Sequence, residues 1–175
     1  MYDEVAYDGW LKVTKRQIGK KTFDILGDYN AVASLILNEY GEVLLVKQFR
    51  ASAMRETLEI PAGAMDIAGE NAAECLAREL QEETHLEIKA EELSPIVSYK
   101  PNLGFSNSMM HIFMAQINKN RIAYGNKAAN EDVYGIVWMR FSDLEGHIME
   151  GIIQDVKTIM VYLYMKAHQL TDSQA

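Results

Sequence analysis

The sequence predicts an α/β fold: one mixed β-sheet with helices on both faces, preceded by a small antiparallel β unit. Three observations carry the prediction. Residues 31–37 and 42–49 are apolar or Leu/Val-rich runs of strand length, separated by turn residues. Apolar side chains recur at helical spacing from about Ala72, and a second helical pattern closes the chain. Further strand-like runs lie between them, so strands and helices interleave without a strict βαβ repeat. Residues 1–28 are expected to form the β unit and residues 29–175 the main domain.

From the N-terminus, residues 9–28 alternate polar and apolar. Trp10, Val13, Ile18, Phe23 and Ile25 are the apolar members, and Gly19-Lys20-Lys21 reads as a hairpin turn between two strands. The run AVASLIL at 31–37 reads as a buried strand. Asn38-Glu39-Tyr40-Gly41 turns it into a strand at 42–49, and residues 51–58 read as a loop. Asn71 with Glu74 three residues on is a capping-box start for a helix beginning near Ala72. Strands are expected at 93–99, 110–117 and 133–139, with the loop KPNLGFSNS at 100–108 and a polar loop at 118–130. Ser142-Asp143-Leu144-Glu145 reads as a capping box opening a short helix. Residues 154–169 read as a long helix with Val156, Ile159, Met160 and Leu163 on one face.

A chain of 175 residues fits one domain and can bury a real core; 49% hydrophobic and 24% charged residues are ordinary for a globular protein. The net charge of −8 argues against a general nucleic-acid binder, which needs a basic surface. It does not exclude a phosphorylated substrate, because a bound divalent cation and a few local Arg or Lys reverse the local sign. A single cysteine, Cys75, rules out a disulfide framework within the chain and reads as a small apolar helix residue. No signal peptide and no membrane-spanning run is visible, so no membrane association and a cytoplasmic location are expected.

The densest chemistry lies between Glu59 and Leu86. On a helical wheel of about 100° per residue, Glu83 falls about 40° to one side of Glu79 and Glu82 about 60° to the other. The apolar stripe of Ala73, Leu76, Ala77 and Leu80 begins just beyond Glu83. Glu79 and Glu83 therefore sit side by side at the border of the buried face. Adjacent acids at that spacing repel each other, and a divalent cation removes the repulsion. Mg²⁺ takes carboxylate oxygens and leaves the rest of its shell to water and substrate phosphates. The competing reading is a solvated acidic helix face, laced by pairs such as Glu74–Arg78 and Arg78–Glu82. Gly63 and Gly69, bracketing the preceding loop, favour the site, since glycine permits close backbone approach to a ligand.

The same stretch resembles the Nudix box, G-x5-E-x7-R-E-U-x-E-E-x-G-U with U aliphatic. Glu70, seven further residues, and Arg78-Glu79-Leu80-x-Glu82-Glu83 match it. Gly63 stands six residues from Glu70, one more than the pattern, which suggests a one-residue bulge. His85 replaces the last glycine and removes an easy left-handed helix cap. The resemblance implies an α/β/α sandwich with a mixed sheet, the architecture already read from the strand and helix pattern. Flanking residues narrow it further. Gln48-Phe49-Arg50, Glu59-Ile60-Pro61-Ala62-Gly63, Pro101 and Gly104-Phe105-Ser106 are similar to features of the branch that hydrolyses ADP-ribose and other nucleoside diphosphate sugars.

That resemblance implies site roles. Ala62 would offer its backbone carbonyl, and Glu79 and Glu83 their carboxylates, to Mg²⁺, with Mn²⁺ as the alternative ion; Glu82 is a further candidate ligand. Arg50 would contact a phosphate, or is a solvated strand-end arginine. Arg78 would brace the loop through Glu70. Glu59 would touch metal or ribose, or is an edge charge. Phe105 is a candidate substrate contact, and Trp10, Phe23 and Tyr29 are candidates for stacking on the base. Catalytic candidates are Glu131, which ends the polar loop, Glu82 as the runner-up base, and Glu83. Glu131 serves as base or as metal ligand; Ala128-Ala129 just upstream stands where some relatives carry acids. The expected activity is Mg²⁺-dependent hydrolysis of ADP-ribose or a related nucleotide sugar by a homodimer. The alternatives are hydrolysis of dinucleoside polyphosphates or capped RNA, and a non-catalytic sensor that binds ADP-ribose.

Overall fold

A computed structural model describes residues 2–27, 29–122 and 133–169. Its centre is β4 (Ala31–Leu37), which sends alternate side chains to opposite faces of the sheet. Ala33, Leu35 and Leu37 enter one core cluster, and Val32 and Ile36 enter the other. A strand buried on both faces is apolar at nearly every position, which is why its sequence shows no alternation; Ser34 is the one polar residue in it.

Seven strands make up the mixed main sheet. β5 (Val43–Arg50), β6 (Arg55–Glu59) and β7 (Ala62–Ala64) follow β4, and β8 (Ser94–Tyr99), β9 (Met110–Gln116) and β10 (Val133–Met139) complete it. β9 runs parallel to β4 over the whole register Ala31↔Met110 to Leu37↔Gln116. The β4–β5 connection is a tight turn in which the buried Asn38 carboxamide oxygen accepts the Tyr40 and Glu42 amides, both at 2.9 Å. Gly41 takes φ +74° there, a conformation open to glycine. β4 and β5 pair only at Leu37↔Val43 and then part. Beyond that point β5 pairs with β6, and the start of β4 pairs with β7.

β6 corrects the expectation of a loop over 51–58. Arg55-Glu56-Thr57-Leu58-Glu59 carries three charges in five residues, which hides its period of two. Leu58 nonetheless packs on the core, and the whole strand is antiparallel to β5 from Val46↔Glu59 to Arg50↔Arg55.

Helices cover both faces. α1 (Ala72–Thr84) starts on the expected capping box: Asn71 accepts the Ala73 and Glu74 amides, and Glu74 accepts the Asn71 amide. It buries Cys75, Leu76 and Leu80 against Val32, Ile36 and Leu44. Each large side chain buried this way contributes about 1.5–3 kcal/mol. α1 ends on His85, which itself takes the left-handed conformation at φ 57°, so the missing glycine does not remove the cap.

α2 (Phe141–Met149) and α3 (Val156–Ala167) pack on the other face. Both differ from expectation. α2 begins before Ser142, after Arg140, and Glu145 bonds Tyr162 and Lys166 rather than closing a cap. α3 begins after Asp155, which accepts the Thr158 amide at 2.9 Å. Its inner face is Lys157, Thr158, Val161, Tyr162 and Met165, while Val156 and Leu163 are about half exposed. α3 is apolar nearly all round, so hydrophobicity alone did not orient it.

The N-terminal unit is a separate antiparallel sheet of three strands rather than two: β1 (Tyr2–Asp8), β2 (Lys12–Ile18) and β3 (Lys21–Gly27). The β2–β3 turn is the expected one, with Gly19 at φ +61°. β1, rich in acids, is exposed along its length. The Leu26 amide joins this unit to the main domain by donating to the Phe105 carbonyl at 2.7 Å.

Candidate active site

Where β4 and β5 part, a cleft of about 600 Å³ opens. The box acids line one end of it. α1 packs so closely under β7 that a Cβ on Gly63 would collide with the Glu79 carboxyl, so Glu79 keeps its present position only beside glycine. The Ala62 amide donates to Glu83 Oε2 at 3.1 Å. Glu79 and Glu83 are 9% and 4% exposed, so the wheel's border position becomes near-complete burial in the fold. Glu82 lies outside them, about half exposed, on the cleft wall.

Burial governs the electrostatics of this pair. It pushes Glu83 up to about 7, against the Ala62 hydrogen bond and with help from the Glu79 charge. Burial also raises Glu79, although Arg78 Nη1 lies 2.8 Å from it. Arg78 holds Glu70 through two further bonds of 3.1 Å, tying the loop to the helix. Cys75 is buried and its thiol is pushed up to about 12, in keeping with a packing role.

Arg50 and Lys157 line the cleft beside the acids and lie near enough to Glu83 to pull its pKa down. Arg50 Nε and Nη2 donate to the two oxygens of Glu59 at 2.8 and 2.6 Å. Glu59 is 3% exposed and also accepts from Thr57 Oγ1 at 2.7 Å and from Lys157 Nζ. Burial alone would raise the Glu59 pKa; Arg50 and Lys157, with Thr57, outweigh it and hold it at about 2. Lys157 also reaches Asp155 at 2.8 Å. The Thr158 hydroxyl donates to Asp155 at 2.6 Å and accepts the Ile60 amide at 3.0 Å. Glu59 is therefore the hub of a buried ion-pair cluster that ties β5, β6 and α3 together, not an edge charge.

The stacking candidates separate. Trp10 and Tyr29 line the cleft and Phe23 does not; Phe105, the candidate substrate contact, is not on the cleft lining either and contributes its backbone carbonyl to the inter-sheet contact. Glu131 lies outside the described residues. The sequence reading missed Tyr99, Asp155 and Lys157. Asp155 with Thr158 three residues on was a readable helix start, and a lysine in the otherwise apolar α3 was the sign of a buried charge.

The residues present fit a hard divalent cation. Two adjacent carboxylates are held out of water, and Gly63 leaves room for one of them against the β7 backbone. Among the described residues no group of three or more His, Cys, Asp or Glu is clustered as a metal site.

Fold and site together define a Nudix protein: the chain belongs to the NUDIX family, whose domain matches residues 29–159. It is a hydrolase. It is similar to the ADP-ribose pyrophosphatase of Bacillus subtilis, at 27% identity over 93% of this chain and 82% of that protein. It is similar to the methanol dehydrogenase activator of Bacillus methanolicus, at 26% identity over 83% of this chain and 77% of that one. It is likewise similar to the GDP-mannose pyrophosphatase of Yersinia enterocolitica, at 25% identity over 95% of this chain and 94% of that one. Among the described residues no helix is long and apolar enough to cross a membrane.

Proposed function

We propose that this protein is a Mg²⁺-dependent pyrophosphatase of ADP-ribose or a related nucleoside diphosphate sugar. Water adds across the P–O–P linkage to leave a nucleoside monophosphate and a sugar phosphate. The observation that carries the reading is the buried pair Glu79 and Glu83 facing a cleft that also holds Arg50 and Lys157. Two anionic groups beside two cationic ones suit a substrate whose pyrophosphate is bound through cations and arginine at once.

In this reading Glu79 and Glu83 would hold Mg²⁺, with the Ala62 carbonyl, and Glu82 as a further candidate. The chemistry that Mg²⁺ supplies when bound is neutralisation of charge on the pyrophosphate oxygens as the bridging bond breaks. Arg50 commits Nε and Nη2 to Glu59, which fixes its guanidinium plane. Its Nη1 is left to donate to a phosphate oxygen. Glu59 then acts by orienting Arg50. Trp10 and Tyr29 offer flat apolar surface for the base. Glu131 takes the proton from the attacking water, with Glu82 as the runner-up.

The N-terminal unit is the proposed dimerisation element. Tyr2, Val5, Tyr7, Trp10 and Ile18 are each more than half exposed on a sheet of three strands. A second copy of the chain would cover them and complete the base pocket beside Trp10. A cytoplasmic location belongs to the same proposal. The test is release of nucleoside monophosphate from a panel of ADP-ribose, GDP-mannose, dinucleoside polyphosphates and capped RNA, with and without Mg²⁺. Turnover of the first two alone, abolished by EDTA, is the expected outcome; preference for the latter two would overturn the substrate assignment.

A further inference from the structure

The Tyr99 hydroxyl is buried and has no hydrogen-bond partner among the described residues. A buried phenolic oxygen normally finds a partner, because leaving it unpaired costs about 1–3 kcal/mol. Tyr99 also lines the cleft, as does Asp155, whose charge, after burial, helps push the phenol up to about 12. The phenol is thus a hydrogen-bonding group left without a partner among the described residues.

Strand register fixes where it stands. Ala64 of β7 pairs with Ala31 of β4, Ala31 with Met110 of β9, and Met110 with Tyr99 of β8. All four residues line the cleft and form its floor. Three strand spacings separate the ends of this row, roughly 14 Å. The box acids lie at the Ala64 end, beside Gly63. Tyr99 lies at the other end of that row, on the same cleft wall as Asp155.

We propose that Tyr99 is a specificity-determining residue that hydrogen-bonds a hydroxyl of the sugar on the non-nucleoside side of the pyrophosphate. The inference rests on the nucleotide-sugar reading above. The chemistry selects sugar over base. A phenol beside a carboxylate offers a donor and an acceptor for neighbouring hydroxyls. The flat apolar surface that suits a base is provided elsewhere, by Trp10 and Tyr29. Asp155 is held in place by Lys157 and Thr158, so the pair is set before substrate arrives.

Tyr99→Phe removes one oxygen and keeps the ring. Its kinetics are to be measured on ADP-ribose and GDP-mannose, each against the methyl ester of the same nucleoside diphosphate, which has the pyrophosphate but no sugar. The expected result is a KM roughly tenfold higher for the sugar substrate that wild type uses, with kcat within about twofold. Parameters for the methyl ester stay at wild-type values, and the melting temperature does not fall, since the oxygen removed had no partner to lose among the described residues. Equal losses on sugar and methyl substrates, or no loss on either, overturn the contact while leaving the pyrophosphatase reading intact. Failure of wild type to hydrolyse any of these compounds overturns that reading and this inference with it.

Discussion

Arg50 grips Glu59 through two hydrogen bonds, 2.8 and 2.6 Å long, across the β5–β6 hairpin. Glu59 is nearly inaccessible to water and Arg50 about half exposed, so one end of the pair is structural and the other faces the cleft. Lys157 meets the same carboxylate from α3. One buried acid thus holds two of the cations that line the cleft, Arg50 and Lys157.

This arrangement predicts a pH-dependent contribution to stability. The folded-state pKa of Glu59 is lowered from 4.5 to about 2. A depressed acid stabilises the fold above its unfolded pKa and loses that contribution as pH falls through the folded value. The difference corresponds to about 3 kcal/mol above roughly pH 5. Urea unfolding of wild type and Glu59→Gln is expected to differ by at least that much at pH 7. The gap should narrow steadily between pH 5 and 2. A gap independent of pH would show that Glu59 contributes by shape and not by charge.

Gly63→Ala introduces one methyl group that meets the Glu79 carboxyl. Displacing that carboxylate by about 1 Å is expected to lower kcat on the order of 10²-fold. Overpacking should destabilise the fold by about 1–3 kcal/mol. Retention of wild-type kcat would mean that Glu79 need not occupy its present position.

Glu83→Gln keeps volume and can still accept the Ala62 amide, bonded at 3.1 Å in wild type. It removes the charge proposed to bind Mg²⁺. The expected loss in kcat is about 10³-fold or more, with a weaker response to added Mg²⁺ and an unchanged circular dichroism spectrum. Turnover like that of wild type would remove Glu83 from the proposed metal site.

The base assignment separates Glu131 from Glu82. Glu131→Gln is expected to lower kcat by about 10²–10⁴-fold at saturating Mg²⁺ and to change the acid limb of the pH–rate profile. Glu82→Gln, altering a half-exposed side chain, should have the smaller effect. The reverse order would assign the base to the box.

Dimerisation is expected to double the 19.8 kDa mass seen by light scattering at micromolar concentration. Val5→Asp, on a strand exposed along its whole length in the single chain, should shift the population toward monomer. A wild-type monomer would show that the exposed N-terminal sheet is not a self-association surface.

The sequence by itself determined the parts of this protein that local rules govern. A nearly all-apolar run of strand length, bounded by turn residues, reads as a doubly buried strand, and β4 is one. Asn71 and Glu74 sit at the spacing that satisfies the first-turn amides of a helix, and α1 starts there. Helical periodicity alone put Glu79 and Glu83 at the edge of the buried face, and the Arg78–Glu70 brace lay in the box pattern. Tertiary structure decided what depends on neighbours distant in the chain. The β6 strand was hidden because its charged side chains are stabilised by partners elsewhere, above all Glu59 by Lys157 some hundred residues on. The orientation of α3 was hidden because its buried face includes a lysine and a threonine that only those partners make tolerable. The Tyr99 hydroxyl, without a partner among the described residues, has no signature in sequence at all: its place is defined by which strands lie side by side, and register across a sheet is a property of the folded chain.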